Sequence, residues 1–161
     1  MKHLVIGKRG QGKTTILNNI AKLYDVEYTV CYNTESELPK GINIKHKFRC
    51  CKITNEIDTK GVILDNVFWN PEYDKLLRVL TKIPDKVVLV SMPYIINTTS
   101  ETLNEFDYIH IFKDNIMGNL EKKYRKIFTK SYETFEDFKE ANEKLRNYEL
   151  LVYEKSNCLS G

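Results

Sequence analysis

The sequence predicts a three-layer α/β fold with a mostly parallel central sheet, and three observations carry that expectation. Short apolar runs alternate with helix-period segments along the chain, the pattern of strands joined by crossover helices. The first run, His3-Leu4-Val5-Ile6, passes into Gly7-Lys8-Arg9-Gly10-Gln11-Gly12-Lys13-Thr14, a glycine-rich stretch that opens a helix. Another run, Gly61-Val62-Ile63-Leu64, ends on Asp65 and delivers a carboxylate to the carboxyl edge, where ligands of such sheets bind.

The elements follow in order. After the strand at 3–6, a helix is expected over 14–24 with Ile16, Leu17, Ile20 and Leu23 on one face. The β-formers of Glu27 to Tyr32 predict a second strand, and Asn33 to Glu37 then opens a polar loop broken by Pro39 and Gly41. The stretch 42–57 is ambiguous, with a strand suggested near Phe48. Beyond the strand at 61–64, a helix is expected over 72–81 with Tyr73, Leu76, Leu77 and Leu80 inward. Lys86 to Val90 and Tyr108 to Phe112 read as buried strands. Asn119 is a candidate cap for a helix carrying Leu120, Tyr124, Ile127 and Phe128. Thr134 with Asp137 resembles a capping box ahead of Phe135, Phe138 and Leu145, and Leu150 to Tyr153 closes the chain as a strand. No repeat or linker interrupts this order, so a single domain over 1–161 is expected.

Composition narrows the class. An apolar fraction of 42% and a charged fraction of 29% are those of an ordinary globular domain. No apolar run approaches a membrane span, and the first strand starts too early for a signal peptide, so a cytoplasmic location is expected. Cys31, Cys50, Cys51 and Cys158 form no C-x-x-C pair, and reduced thiols are the expectation. A net charge of +3 does not by itself argue for nucleic acid. The five arginines (Arg9, Arg49, Arg78, Arg125 and Arg146) limit the candidates for an arginine finger.

The segment Gly7 to Thr14 fits the phosphate-loop pattern G-x-x-x-x-G-K-[ST], so the fold expected is that of a P-loop NTPase. Gly7, Gly10, Gln11, Gly12, Lys13, Thr14 and Thr15 are its candidate nucleotide-binding residues. Backbone N–H groups from Gly10 to Thr15 are expected to curl around a β-phosphate, and Lys13 to reach the β- and γ-phosphate oxygens. The Thr14 hydroxyl takes one Mg²⁺ position and Asp65 a second, through the ion's water shell. Hydrolysis also needs a group that orients water. Asn66, directly after Asp65, cannot act as a base, and Glu35 beyond the second strand is the candidate. Ser91 and Met92 are expected near the γ-phosphate, Ser91 as a weak polar sensor and Met92 as packing.

Taken together, the N-terminal loop, Leu64-Asp65-Asn66, Val87 to Met92, Leu103 to Phe112, Tyr124 to Phe128, Thr134 to Phe138 and the closing Tyr148 to Val152 resemble the poxvirus-type genome-packaging ATPases of the FtsK–HerA superfamily. The resemblance implies an ATP-driven homo-oligomeric ring that moves double-stranded DNA into a capsid, with capsid or portal proteins as partners, in host cytoplasm or virion. By motif match it places ATP and Mg²⁺ on Gly12, Lys13 and Thr14, with Asp65 as the second metal position. The chain departs from the family pattern at Asn66, where a second acid is usual, at Met92 in place of glutamine, and at Leu103 in place of arginine. For a motor, phosphate-directed DNA contacts are expected from Lys45, Lys47, Arg49 and Lys52 around Phe48, or from Lys122, Lys123, Arg125 and Lys126. Arg78 and Arg125 are the candidate fingers.

Two other functions share the loop. A small nucleoside or nucleotide kinase usually carries several clustered arginines to clamp substrate phosphates, and here they are scattered. A nucleotide-binding switch or scaffold with weak catalysis fits Asn66, Met92 and Leu103. A regulatory GTPase is disfavoured because no N-K-x-D element is present.

Overall fold

The computed structural model describes residues 1–32, 41–49, 57–66, 71–95 and 98–155, with backbone only at 49 and 71–74. Seven strands form one sheet: β1 (Lys2–Ile6), β2 (Tyr28–Tyr32), β3 (Ile44–Arg49), β4 (Gly61–Leu64), β5 (Val87–Met92), β6 (Tyr108–Phe112) and β7 (Leu150–Glu154). Their spatial order is β3-β2-β4-β5-β1-β6-β7. All pairings are parallel except β6 with β7, which is antiparallel. Three helices, α1 (Lys13–Ala21), α2 (Pro71–Thr81) and α3 (Ser100–Asn104), follow β1, β4 and β5 in the chain, as crossovers between parallel strands require. The last third adds α4 (Met117–Lys123), a π-helical continuation over Tyr124–Phe128, and α5 (Phe135–Glu143).

The period-2 alternation of the strands divides the core between the two sheet faces. From β1, Leu4 and Ile6 join Val88, Val90, Ile109 and Ile111 on one face, packed by Leu77, Leu80, Leu103, Phe128 and Phe138. Val5 points the other way and joins Val30, Ile63 and Leu89 against Leu17, Ile20 and Ala21 of α1. Both faces are therefore covered, which is why β1, β4 and β5 are apolar runs rather than alternating ones.

The expected elements recur with informative shifts. Helix α1 ends at Ala21, three residues early, so Leu23 leaves its apolar face and is 75% exposed. Asn119 does not cap α4. The helix begins at Met117, and its entry is fixed by Asp114, whose carboxylate accepts the Ile116 N–H at 2.9 Å. Thr134 does cap α5, accepting the Asp137 N–H at 3.2 Å, but the helix stops at Glu143, before Leu145. The ambiguous stretch near Phe48 is the edge strand β3, with Phe48 45% exposed. Buried Cys31 on β2 is disulfide-bonded, which corrects the expectation of reduced thiols at that position. Among the described residues, no helix is long and apolar enough to cross a membrane.

Candidate functional site

The glycine-rich loop leaves the carboxyl end of β1, the second strand from β4. The β5 strand lies between them, yet the loop and Asp65 still meet. The Thr14 hydroxyl, on the first turn of α1, donates to Asp65 Oδ2 at 2.8 Å. Ser91 at the end of β5 bridges from below: its hydroxyl donates to Asp65 Oδ1 at 2.6 Å and accepts the Asn66 N–H at 2.6 Å. Asp65 and Ser91 are buried, so these bonds hold the carboxylate in one orientation. The expectation of Ser91 as a γ-phosphate sensor gives way to this geometry, because its hydroxyl is committed to Asp65 and Asn66. Met92 is fully buried and packs, as expected, while its carbonyl accepts the Gly7 N–H at 3.1 Å.

The loop shape follows from three glycines. Gly10 and Gly12 have φ of 85° and 99°, in the left-handed region that side chains avoid. Gly7 is needed for proximity, because a Cβ there would lie 2.6 Å from Phe112 Cδ2 and 3.0 Å from Gln11 Oε1. The first i→i−4 bond of α1 runs from Ile16 N–H to Gly12 C=O, so the amides of Thr14 and Thr15 lie ahead of the helix's own ladder. No acidic residue occupies that first turn, which leaves the positive helix end to an external anion. Arg9, Gly10, Gly12, Lys13, Thr14, Asp65 and Asn66 line a cavity of about 240 Å³.

Gln11 is turned inward. Its side chain accepts the Lys8 N–H at 2.7 Å and donates to the Lys113 carbonyl at 3.0 Å, and its own N–H closes a turn onto Lys8 C=O. It therefore shapes the loop from within. Thr15 is exposed beside the helix start. Glu35, with Cys50, Cys51, Lys52 and Cys158, lies outside the described residues.

A buried ion pair beside the loop was not foreseen from sequence. Asp114, just past β6, is buried and pairs with buried Lys123 at 3.0 Å, while Lys8 of the loop approaches its other oxygen at 3.5 Å. Burial pushes the Asp114 carboxyl up, but the Ile116 amide, Lys123 and Asn119 more than offset this and hold it below the usual carboxylate value. Burial pulls the Lys123 ammonium below the usual lysine value, with Asp114 opposing. The signal was the position of Asp114 at the end of a strand neighbouring the loop strand.

The basic clusters change character. Lys45 and His46 both reach Asp58, at 2.8 and 3.1 Å. Lys123 is committed to Asp114, and Lys126 donates to the Thr98 carbonyl at 2.8 Å, so the last-third helix does not present a uniform basic face. Of the candidate fingers, Arg78 pairs with Glu101 at 3.1 Å, and Arg125 is exposed.

No protein-family model matches the chain, and no curated protein matches it in sequence. Solved structures match it in fold. The genome packaging NTPase B204 from Sulfolobus turreted icosahedral virus 2, in complex with AMPPCP, gives a TM-score of 0.63 at 13% identity, covering 97% of this chain and 93% of that one. Its ATP-gammaS complex gives 0.62 at 14% identity, with 97% and 93% covered. B204, the DNA-packaging ATPase from Sulfolobus Turreted Icosahedral Virus, gives 0.58 at 15% identity, with 96% and 92% covered. The chain thus has the three-layer α/β P-loop NTPase fold that these viral packaging NTPases share.

Proposed function

We propose that this chain binds Mg²⁺–ATP in the cavity above Gly12-Lys13-Thr14 and hydrolyses it to move double-stranded DNA, as one subunit of a homo-oligomeric ring. The observation that carries the reading is the 2.8 Å contact between Thr14 and Asp65 at the rim of that cavity, two strands apart in the sheet. Hard oxygen donors of this kind suit Mg²⁺, and Thr14 and Asp65 are the residues that would hold it. No group of three or more metal-ligating side chains exists among the described residues, which fits an ion held largely by phosphate and water. When bound, the ion would supply positive charge to offset the negative charge of the phosphates.

The chain's own groups do the rest. Lys13, buried at the cavity wall, sets a cation against the terminal phosphates, and the amides of the first turn of α1 aim their dipoles at the same place. Ser91 fixes the direction in which Asp65 faces. Glu35 remains the proposed water-orienting residue. DNA would meet exposed cations such as Lys47 and Arg125, through phosphates and without reading sequence. Capsid or portal proteins would complete the assembly. The likeness to B204, solved with ATP analogues, supports this reading.

Asn66 favours a second reading, a nucleotide-binding switch with slow turnover. It lines the cavity where a carboxylate would serve as base, and its backbone N–H donates to Ser91 Oγ. ATP turnover with and without double-stranded DNA, beside Lys13→Ala, separates the two. DNA-stimulated turnover abolished by the variant supports the motor, whereas tight ATP binding without turnover establishes the switch.

A further inference from the structure

The loop has a second cavity on its other flank, also about 240 Å³, which meets the phosphate cavity at Gly10. Its walls are Phe112 and Lys113 from the end of β6 and the turn Arg146-Asn147-Tyr148-Glu149 that leads into β7. Tyr148 adopts φ 68°, a left-handed conformation that a bulky residue takes only when its surroundings hold it there. The turn supplies that hold. The Arg146 N–H donates to Glu149 Oε2 at 2.8 Å, and the Glu149 N–H returns to the Arg146 carbonyl at 3.1 Å. Lys113 ties the segment just before the turn to the sheet by donating to the carbonyls of Glu143 and Leu145 at 3.0 and 3.4 Å.

The result is an aromatic ring displayed to solvent. Tyr148 is 76% exposed, and its ring lies so close to Gly12 that a Cβ there would meet it at 3.7 Å. A strained backbone that presents a bare ring beside a phosphate loop gives nothing to the core. It suits a flat ligand attached to the phosphates. We propose that this second cavity receives the nucleobase of the bound nucleoside triphosphate, with the Tyr148 ring as its stacking platform and Arg146 and Asn147 at its polar edge. The inference rests on the phosphate-site reading above and extends it to the other end of the ligand.

Isothermal titration of the full chain with ATP and with inorganic tripolyphosphate, each with Mg²⁺, tests it. Glycine accepts the left-handed backbone at 148, so Tyr148→Gly removes the ring and keeps the turn, and Tyr148→Phe keeps the ring. The wild-type chain should bind ATP more tightly than tripolyphosphate. Tyr148→Gly should lose about tenfold in ATP affinity, as removal of one base–aromatic stack implies, with tripolyphosphate affinity unchanged. Tyr148→Phe should bind ATP as the wild type does. Unchanged ATP affinity in Tyr148→Gly overturns the proposal, as does equal weakening for both ligands, which would mean the ring acts through the loop. If ATP and tripolyphosphate both fail to bind the wild-type chain, the phosphate-site reading falls and takes this inference with it. If tripolyphosphate binds as tightly as ATP, only the nucleobase site falls.

Discussion

Replacing Asp114 with alanine should destabilise the chain strongly, although the residue lies outside the phosphate cavity. Its carboxylate is buried, accepts the Ile116 N–H that begins α4 and pairs with Lys123 at 3.0 Å. Alanine would leave the Lys123 ammonium in a site whose burial already disfavours the charge. Lys8, the other cation at Asp114, has the same sign and cannot substitute. Breaking a buried pair from one side costs about 3–5 kcal/mol, and the lost acceptor for Ile116 adds about 1 kcal/mol. For a chain of this size that corresponds to a fall of about 8–24 °C in Tm. Urea unfolding should show a lower midpoint at unchanged slope.

The double variant Asp114→Leu with Lys123→Met should recover most of the loss, because it removes both charges and leaves apolar volume behind. A single-variant loss below about 1 kcal/mol, the value of a solvated surface pair, would refute the reasoning. A double variant as unstable as the single would refute it too. The pH dependence has a definite sign. The folded-state pKa of Asp114 lies below its unfolded value, so its stabilisation is present above the usual carboxylate range and is lost as pH falls through the folded value. The difference between wild type and Asp114→Asn should therefore shrink below about pH 4.

Three further outcomes are expected. His3 and His110 stack 3.1 Å apart at their ring nitrogens, and burial lowers each to about 4, with the His110 charge a further cause at His3. Both folded values lie below the unfolded one, so stability should decline as pH falls from about 6.5 towards 4, and His110→Gln should flatten that slope in urea titrations. Gly61→Ala should destabilise by about 1–3 kcal/mol, because the new Cβ would collide with the Tyr28 ring, and ATP affinity should be unchanged by calorimetry. Asp65→Ala should weaken Mg²⁺-dependent ATP binding; equal affinity with and without Mg²⁺ in both proteins would remove Asp65 from the metal position.

The layered sheet was legible because its signals are local. β1, β4 and β5 are apolar over their whole length, and the Gly-x-x-x-x-Gly-Lys-Thr pattern fixes its own strand, turn and helix. What escaped the sequence depends on partners far along the chain. Periodicity carried α1 through Leu23, but the chain turns away after Ala21 to reach β2. Asn119 has the composition of a cap, yet Asp114 starts the helix earlier. Lys123 looked like one cation in a basic row and instead answers a buried carboxylate nine residues back. Ser91 could be placed at a strand tip, but its commitment to Asp65 requires knowing that β5 lies beside β4.

The loop is moulded by β6 as much as by its own glycines. Three consecutive residues at the end of that strand each meet a different part of it: Phe112 closes on Gly7, the Lys113 carbonyl accepts Gln11, and Asp114 faces Lys8. On the opposite flank, Asp65 is held by Ser91 before any ligand arrives. A cradle fixed on both sides spends little free energy on ordering when it binds, so affinity should not depend on Asn66. Under the proposed function, Asn66 beside Asp65 cannot act as a base, so its effect would fall on the rate of hydrolysis rather than on binding. Tight nucleotide binding and slow turnover are therefore compatible outcomes of one structure. The measurement that discriminates a motor from a switch is turnover, not affinity.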